Sequence, residues 1–202
     1  MSIVMEPFGD RALRARLPDP VNVAALLGAL RSHPHVVDAV VTESHALVVF
    51  DSTEPPDGLD EVLVRVLNAS IVALPGREHT IAVRYDGEDL SDVARRIGAT
   101  QEDVISLHTA AEYVVATVGF LPGFAYLRGL DLRLVIPRRP APRPRVSPRS
   151  VAIGGPYTGV YPHASAGGWN VIGTAPDFIS FDVRRGASLA LGDRVRFTPV
   201  AH

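Results

Sequence analysis

The sequence predicts an α+β protein, a small α/β sandwich followed by a β-barrel. Three observations carry this. The first seventy or so residues mix helix-period and strand-period apolar patterns. A Pro/Gly interruption, LPGREH at residues 74–79, breaks the pattern. From residue 119 onward the chain reads as short strand-like runs punctuated by Gly and Pro, the mark of a sheet that closes on itself and so removes its edges. Two domains are expected, residues 1–76 and 77–202.

In ALRARL, Leu13, Ala15 and Leu17 alternate with Arg14 and Arg16, the period of a half-buried strand. In VNVAALLGALRSHP, Val23, Leu26, Leu27 and Leu30 line one helical face, and Pro34 ends it. VVDAVVTE and HALVVFD predict a hairpin turning near Ser44, and residues 58–69 a second helix. Two helices on a small antiparallel sheet make the sandwich. Beyond the break, HTIAVRYDG predicts a strand and LSDVARRIG a helix closed by Gly98. Thr100 with Asp103 forms a capping box for a helix over 101–109, and EYVVATVGF returns to strand. VAIGG, TGVYP, GWNVIG, FISFDV and RVRFTPV complete the barrel.

Composition narrows the function. With 47% hydrophobic and 21% charged residues the chain is of ordinary globular type, and no apolar run is long enough to span a membrane. The N-terminus lacks the basic and apolar blocks of a secretory signal, and the absence of cysteine fits a reducing interior, so a cytoplasmic protein is expected. All 20 basic residues are arginine. Without lysine there is neither a Schiff base nor the usual P-loop.

Charge is unevenly spread. The 45 positions between Asp131 and Asp177 carry Arg133, Arg138, Arg139, Arg143, Arg145 and Arg149 and no acid, whereas the rest sets 14 arginines against 22 acids. Guanidinium forks match carboxylate and phosphate geometry, so Arg138, Arg139 and Arg143 are candidate substrate or anion ligands. A plainly solvated basic loop is the alternative. Nucleic acid is not expected, because no aromatics interleave with the arginines and the pI is about 6.4.

Two strings stand out as candidate pocket or partner surface. GFLPGFAYLRGL contributes Phe120, Pro122, Gly123, Phe124 and Tyr126; YTGVYPHASAGGWNVIGTAP contributes Thr158, Tyr161, His163, Gly167, Gly168 and Trp169. The second string places the only tryptophan among four glycines and two prolines. Trp169 has two possible uses, as a core anchor or as a wall facing a partner. His163 beside Ser165 is compatible with a nucleophile–base pair but equally with two polar loop neighbours. His108 and Glu112, one turn apart, find no third ligand, so no metal site is expected.

The strings VGFLPGFAYLRGLDLRLVIPRR, SVAIGGPYTGVYPHASAGGW, IGTAP and LGDRVRFTP, in this order, resemble the family of the 5-oxoprolinase B subunit. That family includes the sporulation-kinase inhibitor KipI and is often labelled allophanate hydrolase subunit 1. FGDRALRARL and YDGEDLSDVARRIGATQEDVISLHTAAEYVV fit as well, so the resemblance spans nearly the whole chain. It implies a cyclophilin-like barrel, a cyclophilin-like partner (the C subunit, of the allophanate hydrolase subunit 2 type) and a further A subunit. It also implies ATP as co-substrate, on a partner or shared, for opening 5-oxoproline to glutamate. Phosphorylation of the lactam oxygen makes a better electrophile, and guanidinium groups suit the developing charge. Allophanate or urea-linked chemistry, and inhibition of a histidine kinase, are the alternatives the family holds. The chain departs from the family pattern at Val146–Ser150, at Ala166, at Tyr157 and at Thr174-Ala175. The last lacks a basic side chain that the family often carries.

Overall fold

A computed structural model describes residues 4–18, 21–68 and 76–200. Leu74 and Pro75, where the sequence predicts the break to begin, lie outside them. The chain divides into two compact units, Met1–Pro75 and Gly76–His202.

In the first unit, β1 (Met5–Pro7), β2 (Ala12–Arg16), β3 (Val36–Val41) and β4 (His45–Phe50) form an antiparallel sheet in the order β1-β2-β4-β3. Alternation turns Ala15, Ala39, Val41, Ala46, Val48 and Phe50 inward. Helix α1 (Val23–Arg31) meets them with Val23, Leu26 and Leu30, and α2 (Leu59–Asn68) buries Leu59 and Leu63. Asn22 caps α1 by accepting the Ala25 N–H at 3.0 Å. The helix closes at Ser32, two residues before the proline that the sequence reads as its stop.

The second unit contains β5 (Glu78–Val83), α3 (Leu90–Ile97), α4 (Gln101–Ala110), β6 (Glu112–Val118) and β7 (Ala125–Arg128). After them come β8 (Arg143–Val146), β9 (Ser150–Gly154), β10 (Tyr157–Val160), β11 (Ser165–Gly167) and β12 (Asn170–Thr174). The short pair β13 (Phe181–Asp182) and β14 (Gly186–Ala187) and then β15 (Arg194–Pro199) complete it. Of the predicted strand FISFDV, only Phe181–Asp182 pairs, with β14 alone. The capping box of α4 is present, and Gly98 ends α3 at φ 67°, a left-handed conformation that favours glycine.

Seven strands make one sheet, β12-β9-β10-β7-β6-β15-β5, antiparallel except for β15 with β5. Its outer strands meet. Arg84, just after β5, donates its N–H to the Thr174 carbonyl at 2.8 Å and accepts the Thr174 N–H at 2.7 Å. The Gly87 and Asp89 N–H groups continue the contact to the Ile172 and Val171 carbonyls. A β-carbon at Gly173 would lie 2.5 Å from the Arg84 carbonyl oxygen, so the approach requires glycine there.

The curled sheet carries apolar residues on both faces. Ile153, Leu127, Ile172, Val160 and Phe197 fill the inner core, while Ala152, Val171, Phe124, Tyr161 and Trp169 form a second cluster. Strand β9 alternates between the two and is buried at all five positions, so it reads as a continuous apolar run. On the inner side His108 stacks on Phe197 with centroids 4.6 Å apart. The Thr158 hydroxyl donates to the Ala152 carbonyl, so His108 Nε2–H donates to Thr158 Oγ1 at 2.9 Å. Nδ1 is then the bare nitrogen and accepts the Tyr85 hydroxyl at 2.7 Å. Burial pushes the His108 pKa down to about 3 and raises that of Tyr85, so the network is neutral. His108 and Glu112 therefore point to different tasks: Glu112 pairs with Arg194 and Arg196. Lower in the sheet the buried Asp193 accepts the N–H of Arg77, 116 residues earlier in the chain.

Candidate functional site

The acid-free segment folds against the place where the sheet edges meet. Asp89, 2% exposed, sits just before α3. Its carboxylate accepts from Arg139 at 2.6 Å, from Arg143 at 2.7 and 2.8 Å, and from the Val171 N–H at 2.7 Å. Glu88 pairs with Arg143 Nε at 2.8 Å. Burial alone would raise the Asp89 pKa, but the Arg143 fork, the Val171 N–H and the charge of Arg139 outweigh it and hold the carboxyl below its ordinary value. Arg139 and Arg143, expected to bind an external anion, are thus neutralised inside the chain.

Arg138 is different. It is exposed, forms no ion pair among the described residues, and its guanidinium carbon stands 5.8 Å from the centre of the Trp169 ring. Its backbone is pinned on both sides. Asn170 Nδ2 donates to the Pro137 carbonyl at 3.1 Å, and the Arg139 N–H donates to the Gly168 carbonyl at 2.7 Å.

Beneath Arg138 lies a set of edge-to-face rings. Phe124 meets Tyr126, Tyr161 and Trp169 at 5.0, 5.3 and 5.4 Å, and Tyr126 meets Trp169 at 5.6 Å. Trp169 is only 4% exposed, so it packs as a core anchor and leaves a partner almost no indole to cover. Glycines make the room. A β-carbon at Gly154 would fall 2.8 Å from the indole, and one at Gly167 would fall 2.4 Å from the Tyr161 hydroxyl oxygen. Gly154 gives the indole the space a large ring needs against a sheet face, and Gly167 does the same for Tyr161.

The other predicted residues scatter. Thr158 is buried on the opposite face of the sheet, in the His108 network. Phe120 is 59% exposed and holds φ 73°, a strained conformation for a bulky residue, with its ring 5.5 Å from Phe124. Pro122 is exposed on the same loop, and Gly123 lies close against Ser180 and Phe181. His163 is exposed near Phe181, at 6.1 Å between rings. Gly168 faces the backbone of Arg139. Sequence reasoning missed Asp89 altogether. Its only signal was an acid at the position that caps a helix, and it makes no side-chain cap.

The carboxyltransferase domain model, subdomains C and D, matches residues 3–190. The B subunit of 5-oxoprolinase from Escherichia coli O157:H7 is 38% identical over 206 residues, covering 95% of this chain and 94% of that protein. The B subunit of 5-oxoprolinase from Haemophilus influenzae is 35% identical over 209 residues, covering 98% and 97%. The chain belongs to the 5-oxoprolinase B-subunit family. Among solved structures, this family member is similar to TTHA0988, at 38% identity and a TM-score of 0.81 over 95% of its length. It spans 41% of the TTHA0988 chain.

Proposed function

We propose that this chain is one subunit of an ATP-dependent 5-oxoprolinase that converts 5-oxo-L-proline to L-glutamate and works only with partner subunits. The observation that carries the reading is end-to-end similarity to proteins named as the B subunit of 5-oxoprolinase, over 94% and 97% of their lengths. In this reading residues 1–76 and 77–202 are separate domains, and the closed sheet is a cyclophilin-like barrel that pairs with a cyclophilin-like C subunit. An A subunit completes the enzyme, in the cytoplasm.

The chain has no lysine, and among the described residues no three His, Asp or Glu side chains gather as metal ligands. ATP serves as co-substrate, its site on a partner or shared with one. The reaction balances as two transfers. The γ-phosphoryl group moves to the lactam oxygen as ADP leaves; water then adds at the activated carbon, the ring C–N bond breaks, the nitrogen takes a proton and phosphate departs. This chain's contribution is a rigid, cationic rim, fixed by Asp89, for an acidic substrate.

The test is reconstitution. The purified subunits together release ADP only when 5-oxo-L-proline is added, and omitting this chain abolishes that release. ADP release that needs the partners but is indifferent to 5-oxo-L-proline refutes the substrate.

A further inference from the structure

Six arginines occupy the acid-free segment, and four have fixed employment. Arg133 pairs with Asp131, Arg139 and Arg143 grip Asp89, and Arg149 donates to the Pro176 carbonyl at 2.6 Å. Arg138 and Arg145 have no carboxylate partner among the described residues. Arg145 lies in β8 with its side chain exposed, and of the two only Arg138 has a ring beneath its guanidinium. Pro137 restricts the backbone before it, Asn170 and Gly168 bind the carbonyl and N–H on either side, and the indole supports the guanidinium from below. The indole is itself immobilised, at 4% exposure.

We propose that Arg138 is the carboxylate-recognition residue of this chain: its guanidinium fork, carried above Trp169, takes the carboxylate of a small cyclic acid. The inference rests on the 5-oxoprolinase reading for the identity of the acid, and on the geometry for the site. An arginine whose neighbours are locked loses little freedom when it binds, which is how preorganisation converts contact into affinity. The fork offers two parallel N–H donors to a carboxylate. Half-buried Tyr126, 5.6 Å from Trp169, adds a flat wall beside the cation for the body of a ring. Asp89, Arg139 and Arg143 act as positioning residues, by fixing the segment that carries Arg138.

Trp169 is the only tryptophan in the chain, so its emission reports on this place alone. Titrating the full chain with 5-oxo-L-proline changes the emission saturably. Arg138→Gln weakens the midpoint about tenfold or more, the scale of a lost charge-assisted pair. Arg145→Gln, a free arginine of the same segment, leaves it unchanged. Arg138→Lys recovers part of the affinity, since it keeps the charge but not the fork. In the reconstituted complex Arg138→Gln raises KM for 5-oxo-L-proline about tenfold while kcat stays within about twofold.

Three results overturn the inference: no saturable change with the parent chain, an undiminished response in Arg138→Gln, or an equal midpoint with inorganic phosphate. A positive titration beside a complex that ignores 5-oxo-L-proline refutes the proposed reaction and leaves the carboxylate site standing. A fully active complex with a silent titration does the reverse.

Discussion

Asp89 and His108 are both buried polar groups of the second unit, and they are accommodated in opposite ways. Asp89 stays charged and collects two guanidinium groups and a backbone N–H. His108 stays neutral and is satisfied by two hydroxyls. The charged centre depends on side chains 50 and 54 residues away and fixes the segment that carries Arg138. The neutral one joins α4 to the inner core and fixes packing. Position explains the choice: at the meeting of the sheet edges a charge can be matched from solvent-facing loops, whereas deep in the core only neutral partners are available.

Removing one member of the ionic centre gives the largest effect. Asp89→Ala leaves Arg139 without a carboxylate and Arg143 with only the exposed Glu88, and denaturant unfolding is expected to show a loss of about 3–5 kcal/mol. Replacing Asp89, Arg139 and Arg143 together by apolar residues of similar volume restores most of that stability, because no unpaired charge remains. It also abolishes the Arg138 titration response, which separates stability from positioning.

The two centres also differ in pH dependence. The unfolded chain protonates His108 near pH 6.5, but the folded one does so only at about 3. Acid therefore favours the unfolded state between those values, with a slope approaching about 1.4 kcal/mol per pH unit from this one group. His108→Leu is less stable at pH 7, and it lacks the part of the slope that His108 contributes between about pH 6.5 and 5. The Asp89 contribution runs lower. Its folded pKa is depressed, so it is complete above the ordinary carboxylate range and is lost as pH falls through the folded value. Stability curves for the two variants that coincide above pH 5 would break the comparison.

A smaller effect belongs to the aromatic face. Gly154→Ala drives a β-carbon into the Trp169 ring and is expected to cost about 2 kcal/mol in unfolding free energy, with a shift in tryptophan emission.

Local features were legible in the sequence because they have local causes. The capping box at Thr100, the left-handed Gly98, the helix α2 and the hairpin before it follow from residues within a few positions of each other. The rest depended on distant partners. FISFDV has strand composition, yet it pairs only at Phe181–Asp182 because its neighbour is the short β14. Charge density marked Arg138, Arg139 and Arg143 alike; only Asp89, far upstream, distinguishes them. Trp169 was ambiguous for the same reason. The glycines that admit its ring, Gly154 and Gly159, face it from β9 and β10, across the sheet rather than beside it in sequence.

The parallel partnership of β5 with β15 has a consequence for synthesis. β5 emerges early from the ribosome, but the strand that hydrogen-bonds to it is translated more than a hundred residues later, as the 116-residue span from Arg77 to Asp193 records. Until then β6 also lacks β15, and two apolar edges wait unpaired in the nascent polypeptide. Slow assembly and a need for shielding during translation are built into this strand order.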